Sequence, residues 1–436
     1  MSQSDFPQTG LERDGAAQPG ASGFRQVSLR RRLRRVSWHF ACRLIMLLFG
    51  IGFVLAGWVG RSRRPIARNG CKIMLSGRFD SRNWILNHLG PLSASRECAL
   101  VWMVSTNPVP ETPKVVAIYP SKWLTRIAGP KLAQLLTFLV SAVQKQPDVV
   151  GGFHMMPHGA AAAVASRLAG ARSMYFSVGG PAEIRDGGVH SSDSPFNNME
   201  TPDAFVERLF LGIIAKFDTI ITMGSGAIDY LRGKGIDTDY HIVAGGIDSD
   251  RFRPSESPPS IDIVFTGRLT YIKRLDVFLH TIRRVVDELP ELKVVIVGSG
   301  ELLDELKQLA VTLDINRNVS FAGHQDDVET WLSGSKIFVL TSDSEGLALS
   351  MMEAMMSGLP AVVSDVGDLG DLVENGVNGY LVPRRSPELF AERLVDLLSD
   401  DQKLSSFARA ARRSALRYET RATIEQWDNI IGSYRG

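Results

Sequence analysis

Cysteine is scarce in this chain: three in 436 residues, Cys42, Cys71 and Cys98. None stands at metal-ligand or redox spacing and three cannot all pair, which leaves inert thiols in a reducing compartment. A net charge is also missing. The 49 Lys and Arg against 47 Asp and Glu leave only +2. The balance is uneven, because residues 1–70 hold 12 Arg and 3 acids, or +9, and the remainder therefore −7. A mildly acidic body lacks the basic stripe of a nucleic-acid-binding protein, so no nucleic-acid partner is expected. The length exceeds one ordinary domain, and 44% apolar content supplies large cores.

The basic excess sits beside the most apolar stretch. Residues 1–24 are rich in Gly, Ser, Gln and Ala, and six arginines follow between Arg25 and Arg35; residues 1–35 read as a disordered basic tail. Leu44–Gly60 then runs 17 residues without a charge before Arg61, Arg63, Arg64 and Arg68. A spanning helix wants about 20 apolar residues, and arginine at both ends disfavours a single crossing. Ala56–Gly60 makes a poor signal cleavage site. Residues 36–68 therefore read as a membrane-associated helix lying in the cytoplasmic leaflet, its arginines on anionic headgroups. The alternative is a helix packed on the catalytic body.

From Cys71 the pattern becomes short apolar runs alternating with helical segments. The predicted strands are 71–75, 99–104, 115–118, 148–150, 173–176 and 219–222, with helices over 131–144 and 160–168. A second series, 261–266, 293–297, 319–321, 337–340 and 360–363, follows a polar, proline-bearing break at 255–260. Such alternation predicts two doubly wound α/β domains, 71–254 and 261–415, with a closing helix at 416–436 that packs back on the first. Ligands in this architecture bind at the C-terminal strand edges, here in the cleft between the domains.

Two stretches carry candidate chemistry. Gly267 follows a predicted strand, with Arg268 and Lys273 just beyond. A forked guanidinium and a movable ammonium suit a diphosphate, although an ordinary loop with solvated charges has the same residues. Strand 337–340 leads into Glu345 and Gly346, Leu347, Ala348 and Leu349, where a helix N-terminus presents amides that suit a phosphate. Glu353 stands eight residues after Glu345 on an otherwise apolar helix. A carboxylate there needs donors. Ribose hydroxyls would supply them, as would a salt bridge or an interdomain contact.

The pattern Gly267-Arg268-Leu269, Lys273, then Glu345 and Glu353 with Glu353-Ala-Met and Gly358-Leu-Pro resembles the retaining nucleotide-sugar glycosyltransferases of family four, also described as group 1. Gly298-Ser-Gly300, Phe321-Ala-Gly323-His324, Glu374–Gly379 and Gly246–Pro254 are similar to that family as well. The resemblance implies two facing Rossmann-like domains, a nucleotide-sugar donor, no metal and retention at the anomeric carbon. It implies that Arg268 and Lys273 neutralise the donor diphosphate and the amides of 346–349 cradle it. Glu345 would lie by the sugar, Glu353 would hold the ribose, Gly323 and His324 would sit near the base, and Gly298 and Gly300 would face the same pocket. The loop holding Gly77 corresponds to one that approaches phosphate or acceptor.

The chain also departs from the family. It has Gly-Leu-Ala after Glu345 where many relatives have Gly-Phe-Gly, and Gly245-Gly246 where Asn-Gly is usual. Many relatives end the strand at 173–176 with a histidine near the sugar; here Ser177-Val178-Gly179-Gly180 follows. His154 and His158 are the alternative first-domain contacts, His154 foremost, and 183–190 is a candidate acceptor loop. The overall expectation is a transferase acting on a lipid-linked or other glycan acceptor at the cytoplasmic face of the plasma membrane. The rivals are an epimerase, recognised by isomerisation without acceptor, and a non-catalytic sugar-nucleotide binder, recognised by absent turnover.

Overall fold

The alternation of buried runs and helices resolves into two parallel sheets in a computed structural model, which describes residues 21–435 except 64, 67–69, 80 and 191–194, and only the backbone of 21–34 and 195. The long helix α1 (Ala21–Val59) comes first. The first α/β unit then runs β1 (Cys71–Ser76), α2 (Arg82–Ala94), β2 (Cys98–Val104), β3 (Val115–Ile118), α3 (Lys122–Lys145), β4 (Val149–Phe153), α4 (Ala160–Ala169), β5 (Arg172–Ser177), α5 (Ala204–Ile214), β6 (Thr219–Thr222), α6 (Ser225–Gly233) and β7 (Asp239–Ile242). Its strand order is β3-β2-β1-β4-β5-β6-β7, all parallel.

The second unit runs β8 (Ile261–Thr266), α7 (Leu275–Glu288), β9 (Val294–Val297), α8 (Leu303–Thr312), β10 (Val319–Gly323), α9 (Val328–Ser333), β11 (Ser335–Leu340), α10 (Leu349–Met356), β12 (Ala361–Ser364), β13 (Gly379–Val382), α11 (Pro387–Leu398) and α12 (Asp401–Ala415), with order β10-β9-β8-β11-β12-β13. The closing helix α13 (Thr420–Ser433) packs on α2 in the first unit. There Trp427 lies under Phe176 and the Tyr434 hydroxyl donates to Thr219 at 2.8 Å. The return crossing runs beside the outward one: Ile247 N–H donates to Tyr418 O at 2.8 Å and Thr420 N–H to Ile247 O at 3.0 Å.

Right-handed crossovers fix the faces of the first sheet. The steps from β3 to β4, β5, β6 and β7 all move one way, so α3, α4, α5 and α6 share a face; the step from β1 to β2 moves the other way and puts α2 on the opposite face. The core divides accordingly. One cluster joins the sheet to α3, α4, α5 and α1, the other to α2 and α13.

Four elements differ from the sequence reading. β7 and β13 were not anticipated: both are edge strands, and neither is an uninterrupted apolar run, one reading Asp-Tyr-His-Ile and the other opening on Gly379. α3 begins nine residues early, because Gly129 and Pro130 kink the segment (Gly129 φ 75°) without ending it. The predicted disordered tail is corrected in part. Residues 1–20 lie outside the described residues, whereas 21–35 continue α1 as helix, arginine being a good helix former once a packed helix exists to extend. The apolar part of α1 lies against α4 and α5, burying Cys42, Met46 and Ala56, and leaves its other side exposed.

Candidate active site

Loops leaving the C-terminal strand ends of both sheets meet in a cleft. A Cβ on Gly346, after β11, would sit 2.6 Å from the carbonyl of Val178, after β5, so only glycine allows this approach of the two units. Beside it, Asp371 accepts from the amide and hydroxyl of Ser225 at 2.5 and 2.7 Å, and Asp368 from the amide of Gly226 at 2.8 Å. Two carboxylates of the second unit thus cap the N-terminus of α6 in the first, an arrangement that the sequence did not reveal.

The second unit's wall is built from the ends of β8, β9, β10 and β11. Gly267 ends β8, Arg268 is exposed on the following loop, and one tight turn places Lys273 before α7. The Thr341 hydroxyl donates to the carbonyls of Lys273 and Arg274 at 3.1 and 3.0 Å, locking that turn to the end of β11. Lys273 Nζ then donates to Glu345 Oε1 at 2.6 Å, and the Ser342 hydroxyl to the same oxygen at 2.5 Å. Lys273 and Glu345, 72 residues apart, are therefore one ion pair. Gly298 and Gly300 have a packing reason. A Cβ on either would fall 1.9 Å from Gly267 O or 2.3 Å from Leu269 O, so the loop after β9 lies flat on the loop that carries Arg268. Gly323 ends β10 and its carbonyl accepts from the Gly298 amide at 2.7 Å. His324, next in the chain, is exposed at the rim, 3.7 Å from Asp326.

Leu347 and Ala348 are buried in the loop before α10, which starts at Leu349. Their amides precede the first helical turn, where backbone donors have no intrahelical partner. Glu353 lies one turn further in and is buried. Burial pushes its carboxyl up to about 7, against the opposing pull of Arg251 and of Asn87 on α2 across the cleft. Arg251 is itself bound to Glu329 at 2.8 Å, so Glu353 is a buried acid with incomplete compensation.

The first unit's wall holds His154, after β4, with φ 61°. Its Nδ1 is 2.8 Å from Glu183 Oε1, and Glu183 also accepts from Met155 N–H at 3.0 Å, Tyr175 O–H at 2.8 Å and Gly179 N–H at 2.5 Å. Burial alone would raise the Glu183 carboxyl; the charge and hydrogen bond of His154 outweigh it, with the Gly179 and Tyr175 donors, and hold it below the ordinary range. An ionised carboxylate only accepts, so Nδ1 carries the hydrogen. Glu183 also fills the space beside Gly179, where a Cβ would be 3.0 Å from Glu183 Cγ. The sequence reading placed Glu183 in a loop and missed its role. Its signal was an acid shortly after a strand-end Gly-Gly.

His158 falls away from the site. It is buried, 3.0 Å from Ser76 Oγ, and burial pushes it down to about 3, making it a neutral core group. Gly77 closes β1 against Phe79 and Phe153. In the candidate acceptor loop Arg185 lies over Tyr230 and Asp186 pairs with His190. The structure thus brings Lys273, Glu345 and 346–349 together, ties Gly267, Gly298, Gly300 and Gly323 to one strand edge, and puts His154 on the facing wall.

Residues 247–414 match the model of the family described as glycosyl transferases group 1. The chain is 30% identical over 169 residues to a poly(ribitol-phosphate) alpha-N-acetylglucosaminyltransferase of Staphylococcus aureus, covering 38% of this chain and 34% of that one. It is 31% identical over 244 residues to a D-inositol 3-phosphate glycosyltransferase of Rhodococcus jostii, covering 51% and 53%. The chain thus spans about a third to a half of the length of these curated relatives. In fold it is similar to Anabaena HepE in complex with UDP and glucose, with TM-score 0.65 and 18% identity, covering 83% of this chain and 100% of that one. By that match residues 247–414, most of them in the second unit, are a glycosyl transferases group 1 domain.

Proposed function

We propose that the protein is a retaining glycosyltransferase that moves a sugar from a nucleoside-diphosphate sugar to an acceptor hydroxyl. The reading rests on one observation: Lys273 and Glu345 paired at 2.6 Å beside the amides of 346–349, at the edge of the second sheet. As the glycosidic bond breaks, negative charge grows on the leaving diphosphate. Arg268, Lys273 and the amides before α10 would stabilise it electrostatically. Glu345 neutralises Lys273 until the donor arrives and then lies against the sugar. Glu353 would accept from the ribose hydroxyls, and Gly323 and His324 would border the base. His154, oriented by Glu183, would contact the sugar from the facing wall. The acceptor hydroxyl attacks from the face the diphosphate leaves, and the departing phosphate oxygen takes its proton. No metal enters this scheme.

The acceptor in this reading is a lipid-linked glycan. The exposed apolar side of α1 seats the enzyme on the cytoplasmic face of the plasma membrane, where cytosolic donors meet it, and confinement to one surface raises the effective concentration of both partners. The S. aureus relative's name, a transferase acting on a poly(ribitol-phosphate), is in keeping with a polymeric acceptor. The test is turnover of lipid-linked acceptor with a panel of nucleotide sugars. Lys273→Ala should lose about 100-fold or more, the scale of one lost oxyanion donor; unchanged turnover in that variant would remove the site.

A further inference from the structure

Among the described residues two helices are long and apolar enough to cross a membrane, Arg35–Val59 of α1 and Lys122–Lys145, the whole of α3. Only 17% and 28% of their apolar stretches are buried, unlike core helices. The two share one face of the first sheet, joined through α4 in a single core cluster. α3 turns Ala133, Phe138 and Ala142 inward. Its outer side shows Leu132 (51% exposed) and Val140 (53%), and the part before the Gly129 kink exposes Trp123 (71%) and Ile127 (66%).

The two helices also run the same way. Gln134 donates to the carbonyls of Gly77 and Val104 at 2.9 and 3.0 Å, which places it at the C-terminal ends of β1 and β2. The preceding part of α3 therefore projects past the sheet on the cleft side. α1 starts at the same end, with His39 on Asp203 at the head of α5, and finishes where Gly60 meets the end of α4. Along each helix the bands match. Cations come first (Arg35 and Arg43; Lys122, Arg126 and Lys131), an uncharged stretch follows (44–59; 132–144), and cations return (Arg61; Lys145). Neither helix holds a carboxylate.

We propose that α3 is a second membrane-contacting helix, which with α1 seats the N-terminal domain on an anionic lipid surface and holds the cleft end at headgroup level. Apolar side chains with interleaved cations and no acids suit acyl chains beneath anionic headgroups, whereas protein partners' interfaces are depleted in lysine. The inference rests on the membrane seat proposed above and adds a specific second contact. It gives a lipid-linked acceptor a short route, since the projecting end of α3 borders the cleft.

The three native cysteines are buried, so a single introduced cysteine can carry an environment-sensitive fluorophore on the full chain. Leu136→Cys tests α3, Leu48→Cys tests α1, and Lys307→Cys on α8 is the solvent control. With phosphatidylglycerol-containing vesicles the labels at 136 and 48 should both shift to the blue and brighten severalfold, and the control should not. Lys122→Glu, Arg126→Glu and Lys131→Glu combined should weaken vesicle binding about 100-fold, by the contribution of each surface cation, with circular dichroism unchanged. A response at 48 without one at 136 would overturn the α3 contact and leave the membrane seat standing. No response at either, with the chain in the supernatant, would overturn both. A response at 136 that needs only higher protein concentration would make the face a self-association surface and also defeat the proposal.

Discussion

Glu353 offers the sharpest test, because its burial sets a number. Burial lifts its carboxyl from 4.5 to about 7. A ribose hydroxyl donates to the ionised form, so the competent fraction is about one half at pH 7, one tenth at pH 6 and nine tenths at pH 8. Apparent affinity scales with that fraction. Donor affinity should therefore rise about tenfold from pH 6 to pH 8. The ligand should be the intact nucleotide sugar, since a free diphosphate has its own terminal titration near pH 6. Calorimetric titration of wild type and Glu353→Gln would read it. The variant should bind more weakly at pH 8 and lose the slope. Stability should move oppositely. A folded value raised above the unfolded one gives stability that is fully present below about 4.5 and lost as pH rises through 7. Glu353→Gln should thus melt higher than wild type at pH 8, by up to about 3 kcal/mol from the size of the shift. A flat affinity profile in wild type, or equal binding by the variant, would refute the ribose assignment.

Glu183→Gln should lower turnover about tenfold to 100-fold, the scale of a lost charged hydrogen bond. Donor KM should change little; a lower melting temperature with unaltered kinetics would reduce Glu183 to a structural staple. On α1, Leu48→Glu with Ile51→Glu and Leu55→Glu should release the folded protein from membranes, and continued sedimentation with membranes would defeat the seat on α1. Deleting residues 1–70 should instead yield aggregates, because it uncovers the surface against which Met46 is buried, at roughly 1.5–3 kcal/mol for that side chain alone; a stable soluble truncation would count against the packing role of α1.

The sequence by itself determined the two α/β units and the second unit's wall of the cleft. Those features are local: buried strands are continuous apolar runs, and the segments around Gly267 and Glu345 each follow such a run directly. Tertiary structure decided whatever depends on partners distant in the chain. Lys273 meets Glu345 across 72 residues, and no spacing rule predicts that pairing. Glu183 lies 29 residues from His154, and only the fold brings the two within 2.8 Å. Asp368 and Asp371 look like ordinary loop acids until the second unit places them on the start of α6. The edge strands β7 and β13 escaped notice for local reasons: β7 is a half-exposed Asp-Tyr-His-Ile, and β13, though largely buried, is four residues long and opens on Gly379. The double nature of α1 was also undecidable from its residues, since an apolar side chain obeys the same transfer energetics against protein as against lipid; only the position of α4 and α5 shows which side is already covered.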